Sequence, residues 1–527
     1  MARLWLVLFL ALAAPTAAAP PDCEALATLS LEHATFTARH MSGPFKLESG
    51  RTVTVTTAFC RVVGVIKPSA DSHIRFEVWM PATGWNGKFQ GVGNGGYAGS
   101  VSYGELVAAL AGGYATASTD TGHADGNSVD ATWALGHPEK VIDFGYRAIH
   151  ETAVKAKALI TAYYGEGPKR SYFAACSNGG RQALMEAQRF PEDYDGIIAG
   201  APASQWTRLL SFAGEIVRAA SQPGAYLPAS KLPAIQAAAV AACDADDGVK
   251  DGIVDTPSRC RVDPKTLLCK GTESDACLTA PQVATLTLIH DGARTAGGLP
   301  FSPGYSPSGE AAAGGWAEWI TGETMESALL FGFSTQFFTN IVHADPAWSY
   351  RTFNLDRDSK AAVEKAAHTL DATDADLSRF RARGGKLILY HGWNDAAIPA
   401  LHVVEYYQKV GATLGAEQTD SFVRLFMVPG MQHCGGGAGP DTFGQNRPGV
   451  NDDPLHDIDA ALERWVEQGV APEKLIATKY KEGAPSASGV SVTRTRPLCP
   501  YPQVAKWTGS GSTDDAANFV CAALLSR

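Results

Sequence analysis

Apolar positions recur along this chain in two rhythms. Arg51–Ile66 and Ile74–Met80 are β-branched and partly alternating, as half-buried strands are. Lys88–Val92, Tyr114–Ser118, Arg170–Cys176 and Gly196–Ala201 are short apolar runs of strand length. Val141–Tyr164 and Gly179–Arg189 carry apolar residues at helical spacing. Strand, helix, strand, helix, strand in this order predicts parallel strands covered on both faces. The pattern stops near residue 204 and resumes near 381. Residues 204–380 are Ala/Gly/Pro-rich, read as irregular, and hold four cysteines. Strand Lys386–Tyr390, helix Ala400–Val410, strand Phe422–Val428 and helix Ile458–Gly469 follow. The expectation is an α/β protein with a doubly wound, mostly parallel sheet formed by 20–203 and 381–527 and a large lid domain inserted over 204–380.

Composition narrows the class. The 527 residues are 45% hydrophobic and 19% charged, with a net charge of −10 and no run of Lys or Arg, which excludes a phosphate-backbone partner and leaves no nucleic-acid role. Met1-Ala2-Arg3 followed by apolar Leu4–Ala14 and small residues through Ala19 reads as a cleaved signal peptide over 1–19. No later apolar run is long enough to span a membrane. Export to the periplasm or medium makes disulfides the expected state of the ten cysteines, and with no CxxC pair neither zinc nor thioredoxin-like chemistry is indicated. The lack of an N-x-[ST] sequon favours a bacterial source.

The candidate chemistry begins at Tyr172-Phe173-Ala174-Ala175-Cys176-Ser177-Asn178-Gly179-Gly180-Arg181, where an apolar strand meets a helix at a serine flanked by small residues. That is the requirement of a nucleophile elbow, with Ala175 where the G-x-S-x-G pattern has its first glycine. A serine hydroxyl needs a base, and in the α/β-hydrolase fold the chain order is Ser, acid, His. Strand Lys386–Tyr390 leads through His391-Gly392-Trp393-Asn394 to Asp395, the natural acid. His402, His433 and His456 follow it. His402 is too near in a helix, His456 lies in a polar loop, and His433 closes strand Phe422–Val428, so His433 is the base. Singly, these residues have plainer readings as a turn serine, a helix cap and a loop histidine. Their order and their placement at strand ends carry the assignment. Cys176 and Cys434 adjoin the serine and the histidine, and a bond between them would hold two distant loops at triad distance. An oxyanion hole would take the Asn178 N–H and a second N–H from the loop Gly93-Asn94-Gly95-Gly96, from either Gly95 or Gly96.

Cys176-Ser177-x-Gly179-Gly180 with Asp395, His433-Cys434, the cysteine layout and the inserted segment resemble the tannase and feruloyl esterase family over nearly the whole mature chain. The resemblance implies bonds Cys176–Cys434, Cys23–Cys60, Cys243–Cys260, Cys269–Cys277 and Cys499–Cys521. It also implies a structural Ca2+ in the acidic loop 244–255, held by the side chains of Asp244, Asp247 and Asp251 and the carbonyls of Val249 and Ile253. The composition suits calcium, although Gly248 at the fifth position departs from an EF-hand. No organic cofactor is implied.

Specificity is expected in the lid. Residues 295–350 contain no Lys or Arg but hold Trp316, Trp319, Phe331, Phe333, Phe337, Phe338 and Trp348, some of which would line a pocket for a flat aromatic acyl group. This favours phenolic esters of feruloyl or galloyl type over terephthalate monoesters, unless Arg351 or Arg357 reaches the site. The rivals are a general carboxylesterase or peptidase-like hydrolase of the same fold and an exported binding protein that keeps the scaffold. The sequence leaves the oligomeric state open.

Overall fold

The computed structural model describes residues 22–47, 49–124, 127–445, 453–481 and 491–523; the expected signal peptide lies outside them. One mixed sheet organises the chain. Its strands are β1 (Ala34–Met41), β2 (Phe59–Ile66), β3 (Ile74–Pro81), β4 (Lys88–Val92), β5 (Ala115–Thr119), β6 (Arg170–Cys176), β7 (Gly196–Gly200), β8 (Lys386–Gly392) and β9 (Val423–Val428). The spatial order is β1-β2-β3-β5-β4-β6-β7-β8-β9. β1, β2 and β3 pair antiparallel, and β3 meets β5 antiparallel, whereas β5, β4, β6, β7, β8 and β9 run parallel.

The helices are α1 (Tyr103–Ala111), α2 (Ala148–Tyr164), α3 (Asn178–Arg189), α4 (Trp206–Ala220), α5 (Leu232–Cys243), α6 (Ala280–Asp291), α7 (Leu329–Gln336), α8 (Leu355–Ala362), α9 (Leu401–Leu414) and α10 (Ile458–Gln468). Strand alternation explains the layering. Phe173, Ile197, Leu387, Leu389, Val423 and Leu425 pack with α2, α3 and α9 on one face. Tyr172, Ile198, Ile388, Tyr390 and Phe426 pack with α10 on the other. The register sets Phe173 beside Ile197, Ile197 beside Leu387 and Leu387 beside Val423, so a continuous apolar row crosses the parallel half. This is the architecture of an α/β-hydrolase.

The structure revises three readings and adds elements that had none. Arg51–Ile66 is not one strand: Thr52–Val53 pairs with Phe45–Lys46 in a separate two-stranded ribbon, and only β2 joins the main sheet. The edge strand β1 and two C-terminal hairpins, Leu475–Tyr480 with Val492–Leu498 and Gln503–Trp507 with Phe519–Ala523, had no sequence reading. The helix expected over Val141–Tyr164 is entered through a short helix, Pro138–Ile142, and a π-helical turn, Asp143–Arg147. The stretch 204–380 is not irregular, because α4 to α8 lie between β7 and β8. Their apolar residues do not show as a stripe where the helix is buried from several sides, as in α7, whose sequence is LLFGFSTQ. These helices share one core with Tyr97, Phe144 and Ala396–Ile398 of the sheet domain.

Glycine at one junction lets α3 approach the sheet. A Cβ on Gly180 would lie 2.2 Å from the Gly200 carbonyl oxygen and 2.9 Å from the Pro202 Cα. We expect Gly180→Ala to cost about 1–3 kcal/mol through overpacking against backbone. Gly104→Ala, on α1 with no atom within 4 Å of the added Cβ, is the control, and should be neutral or stabilising by up to about 1 kcal/mol. Denaturant midpoints of the two variants check this, and equal stabilities would refute the close-approach argument.

Candidate active site

The strand-to-helix junction places Ser177 at φ 68° and ψ −127°, a conformation that a non-glycine residue adopts only under constraint. The constraint is visible on both sides. The Ser177 N–H donates to the Gly200 carbonyl at 2.9 Å, and its own carbonyl accepts from Arg181 N at 3.1 Å and Ala203 N at 3.2 Å. The alanine at the first position of the elbow fits because its neighbours are glycines: a Cβ on Gly179 would meet the Ala175 Cβ at 2.5 Å, and one on Gly93 would meet it at 2.8 Å.

The three sequence-assigned residues come together. Ser177 Oγ is 2.9 Å from His433 Nε2, and His433 Nδ1 is 2.8 Å from Asp395 Oδ2. Asp395 is buried, accepts three hydrogen bonds and has a second imidazole beside it. Ala397 N and Ile398 N donate to Oδ1 at 2.8 and 2.9 Å, and His391 Nε2 lies 3.1 Å from Oδ2 alongside His433. Burial alone would raise the pKa of this carboxyl; the facing His433 and His391 rings reverse that and hold it well below the usual carboxylate range. His402 is buried in α9 and bonded to Ser302 at 3.1 Å, and His456 pairs with Asp453 at 2.9 Å. Neither reaches the serine.

Cys176 and Cys434 are bonded, with a Cα–Cα distance of 6.0 Å across 258 residues. The other bonds join Cys23–Cys60, Cys243–Cys260, Cys269–Cys277 and Cys499–Cys521.

A cavity of about 860 Å3 opens on Ser177 and His433 and is lined on the loop side by Gly95 and Gly96. A Cβ on Gly95 would meet no atom within 4 Å, whereas Gly96, at φ 56°, leaves 2.4 Å to the Ser128 carbonyl oxygen. Of the lid aromatics, Trp319 and Phe333 line the cavity. Trp319 meets the His433 ring in a T-shaped contact at 4.9 Å and stacks near Phe333 at 6.1 Å. Trp316, Phe337 and Phe338 are buried in the lid core, Phe331 packs on Tyr350 and Trp348 on Phe338. None of the described residues lining the cavity is Lys or Arg, while Glu105, Glu318, Asp457, Asp459 and Glu463 contribute carboxyls. Arg351 lies over Tyr350, and Arg357 is bonded to Asp358 and the Thr352 carbonyl, so neither lines the cavity.

Sequence reasoning passed over Arg181. It is fully buried, with Nε donating to Asn178 Oδ1 at 2.8 Å and its Nη atoms to the carbonyls of Gly145 and Phe144 at 2.7 and 3.0 Å. Burial brings this guanidinium down to about 9. Its place directly after a Ser-x-Gly-Gly turn was the only local signal, and its burial is visible only in the fold.

Two places bear on metal binding. In the acidic loop, Asp244 Oδ1 accepts from Gly252 N at 3.0 Å, Asp247 Oδ1 from Val249 N at 2.8 Å and Asp251 Oδ1 from Ile253 N at 3.1 Å. Asp251 also contacts Arg494 at 3.1 Å and Arg496. Burial, with neighbouring carboxylates, pushes Asp247 up to about 6 and Asp255 to about 8. Desolvated carboxyls that raise one another's pKa are a donor set that a hard cation would relieve, so the residues fit calcium. Elsewhere His150, Glu186 and Asp193 bring ligand atoms within 4.8 Å of one another. There His150 Nδ1 and Asp193 Oδ2 are only 2.6 Å apart and the Lys157 ammonium stands 3.7 Å from Asp193, which is the spacing of an ion-pair network.

The chain has relatives throughout its length. It is 45% identical to an uncharacterised esterase of Xanthomonas campestris pv. campestris, across 96% of this chain and 92% of that one. It is 34% identical to a probable feruloyl esterase B-2 of Aspergillus terreus, across 89% and 86%. The crystal structure of feruloyl esterase B from Aspergillus oryzae superposes with a TM-score of 0.86 at 30% identity, covering 95% of this chain and 99% of that one. Residues 60–522 match the tannase and feruloyl esterase family. A serine, histidine and carboxylate within hydrogen-bonding distance inside such a fold, and a match of this extent, lead to one conclusion: the chain belongs to the tannase and feruloyl esterase family and is a carboxylic ester hydrolase.

Proposed function

We propose that the protein is an exported serine esterase that cleaves phenolic esters of feruloyl or galloyl type through an acyl-enzyme. The observation that carries this reading is the continuous relay Ser177–His433–Asp395 at 2.9 and 2.8 Å in a cavity walled by Trp319 and Phe333. His433 Nε2 takes the Ser177 proton as Oγ attacks the ester carbonyl, and Asp395 holds Nδ1–H so that Nε2 faces the serine. The Asn178 N–H, with that of Gly95 or Gly96, receives the negative oxygen. His433 then protonates the departing alcohol, and water releases the aromatic acid by the same route in reverse. The feruloyl esterase relatives and the apolar Trp319–Phe333 wall support an aromatic acyl group. A cavity edged by carboxyls, with no cation among its described residues, speaks against gripping a terephthalate carboxylate. Five disulfides fit an oxidising compartment, and no described helix is long and apolar enough to cross a membrane.

Calcium in this reading is structural. Asp244, Asp247 and Asp251 side chains with the Val249 and Ile253 carbonyls would hold it, and the buried Asp255 beside them is a further candidate donor. The ion would neutralise the loop that docks between Cys243–Cys260 and Arg494 and Arg496; no catalytic step passes through it.

Ser177→Ala should lower kcat on methyl ferulate or methyl gallate by about 10^4-fold or more. Turnover of p-nitrophenyl acetate alone would remove the phenolic assignment, preference for a terephthalate monoester would replace it, and full activity in the variant would refute the nucleophile. Removing the disulfide with Cys176→Ala/Cys434→Ala should cost about 100-fold in kcat with the circular dichroism spectrum retained, because a displacement near 1 Å has that effect. Wild-type kcat in the double variant would show that the bond does not position the base. Chelation should lower Tm by several degrees, reversed by added calcium and abolished as a difference in Asp247→Asn. A Tm indifferent to chelator would exclude a stabilising ion.

A further inference from the structure

We propose that His391 is a positioning residue for the triad, a second imidazole that faces the same carboxylate oxygen as the base. The proposal rests on the Ser177–His433–Asp395 reading and adds to it. His391 is fully buried at the end of β8, in register with Met427 of β9, so its ring is fixed by the sheet and not by a loop. Its Nε2 lies 3.1 Å from Asp395 Oδ2 and 3.2 Å from the Ile398 carbonyl oxygen. Both neighbours only accept, so Nε2 must carry the hydrogen. Nδ1 is buried with no partner, which is where a neutral Nε2–H tautomer keeps its bare lone pair at least cost; a protonated ring would bury an unsatisfied N–H and a charge.

Asp395 Oδ2 therefore faces two imidazole N–H groups: His433 Nδ1 is bonded to it at 2.8 Å, and the His391 N–H, donated to the Ile398 carbonyl at 3.2 Å, stands 3.1 Å away on the sheet side. Two consequences follow. The carboxylate is held by the Ala397 and Ile398 amides on Oδ1, and rotation would also carry Oδ2 away from the favourable His391 N–H dipole, which fixes where Nδ1–H of His433 points. The N–H dipole of His391 also offsets part of the carboxylate's negative charge, so its removal would strengthen the pull of Asp395 on the His433 proton. The remaining titratable groups facing this pair are Tyr305, whose hydroxyl donates to the Ala397 carbonyl at 3.1 Å, and His402 from α9. Burial pushes the Tyr305 phenol far up and the His402 ring far down, so both stay neutral across the working range; Arg208 is the cation that acts on His402.

The test compares wild type, His391→Phe, His391→Gln and Ser177→Ala on one phenolic methyl ester over pH 4–9. His391→Phe keeps a ring without the donor and should lose about 10-fold in kcat, with the acid limb of kcat/KM moved up by about half a pH unit or more. His391→Gln, whose amide replaces the Nε2 donor, should restore most of kcat and the wild-type limb. A purely structural histidine would change Tm and leave the limb in place, so an unmoved limb in His391→Phe, or equal losses in Phe and Gln, overturns the proposal. Should the Phe variant fail to fold, 15N NMR of histidine-labelled wild type decides: an Nε2–H tautomer at His391 supports the proposal and an Nδ1–H tautomer refutes it. Ser177→Ala separates the two readings, since residual full activity there would overturn the triad itself, whereas an inactive Ser177→Ala beside an unshifted His391→Phe would overturn His391 alone.

Discussion

Ser177 sits in a backbone region that costs a non-glycine residue about 1–3 kcal/mol. Such strain persists only where the surroundings over-determine it, and much of this molecule supplies the surroundings. Above the serine, helix α3 must begin at once. Below it, β6 must run in register with β7 so that Gly200 accepts from the Ser177 N–H. Both require backbone-to-backbone contact, hence Gly179 and Gly180. The parallel sheet is then a frame whose strand ends deliver three side chains to the point where the strained turn presents its hydroxyl.

Delivery alone would leave polar groups buried without partners, and the site is stable because most of the key ones are satisfied. Asp395 takes donors from two backbone amides and the His433 imidazole, with the His391 ring 3.1 Å away. Arg181 closes the opposite side by donating to Asn178 and to carbonyls of the π-helical turn Asp143–Arg147. That link passes from the first turn of α3 to the segment on which the lid core rests, since Phe144 and Trp206 both lie beneath the guanidinium. A satisfied buried charge is rigid, and the proposed acyl transfer would need that rigidity around His433.

The lid is continuous with this frame. Tyr97 donates its hydroxyl to the Phe333 carbonyl, and Phe333 carries Trp319, which meets His433 in a T-shaped contact. The aromatic wall of the cavity and the orientation of the His433 ring are thus settled by the same packing. On the far side, the acidic loop is clamped between the Cys243–Cys260 bond and the arginines of the Val492–Leu498 strand, so the C-terminal hairpins brace the lid as well.

Local pattern was enough for the parallel strands around the elbow, because burial on both faces writes continuous apolar runs and an elbow demands small residues at fixed offsets. Ser177, Asp395 and His433, which the fold brings within hydrogen-bonding distance, were picked with the chain order of α/β-hydrolases as a guide. The five cysteine pairings followed from a family resemblance and from nothing in the spacing itself. Lid helices such as α7 escaped because a segment buried on several sides carries no amphipathic period, and β1 escaped because an edge strand is largely polar. What only the tertiary structure decided is which groups face one another. His391 and Asp395 lie four residues apart in the sequence HGWND, where nothing distinguishes a strand-end histidine from a partner of the acid. Trp319 was one of seven candidate aromatics with nothing local to single it out, and Arg181 looks like a solvated arginine until the chain is folded. Periodicity reports how buried a residue is; the partner it meets depends on contacts between distant segments, which no local pattern encodes.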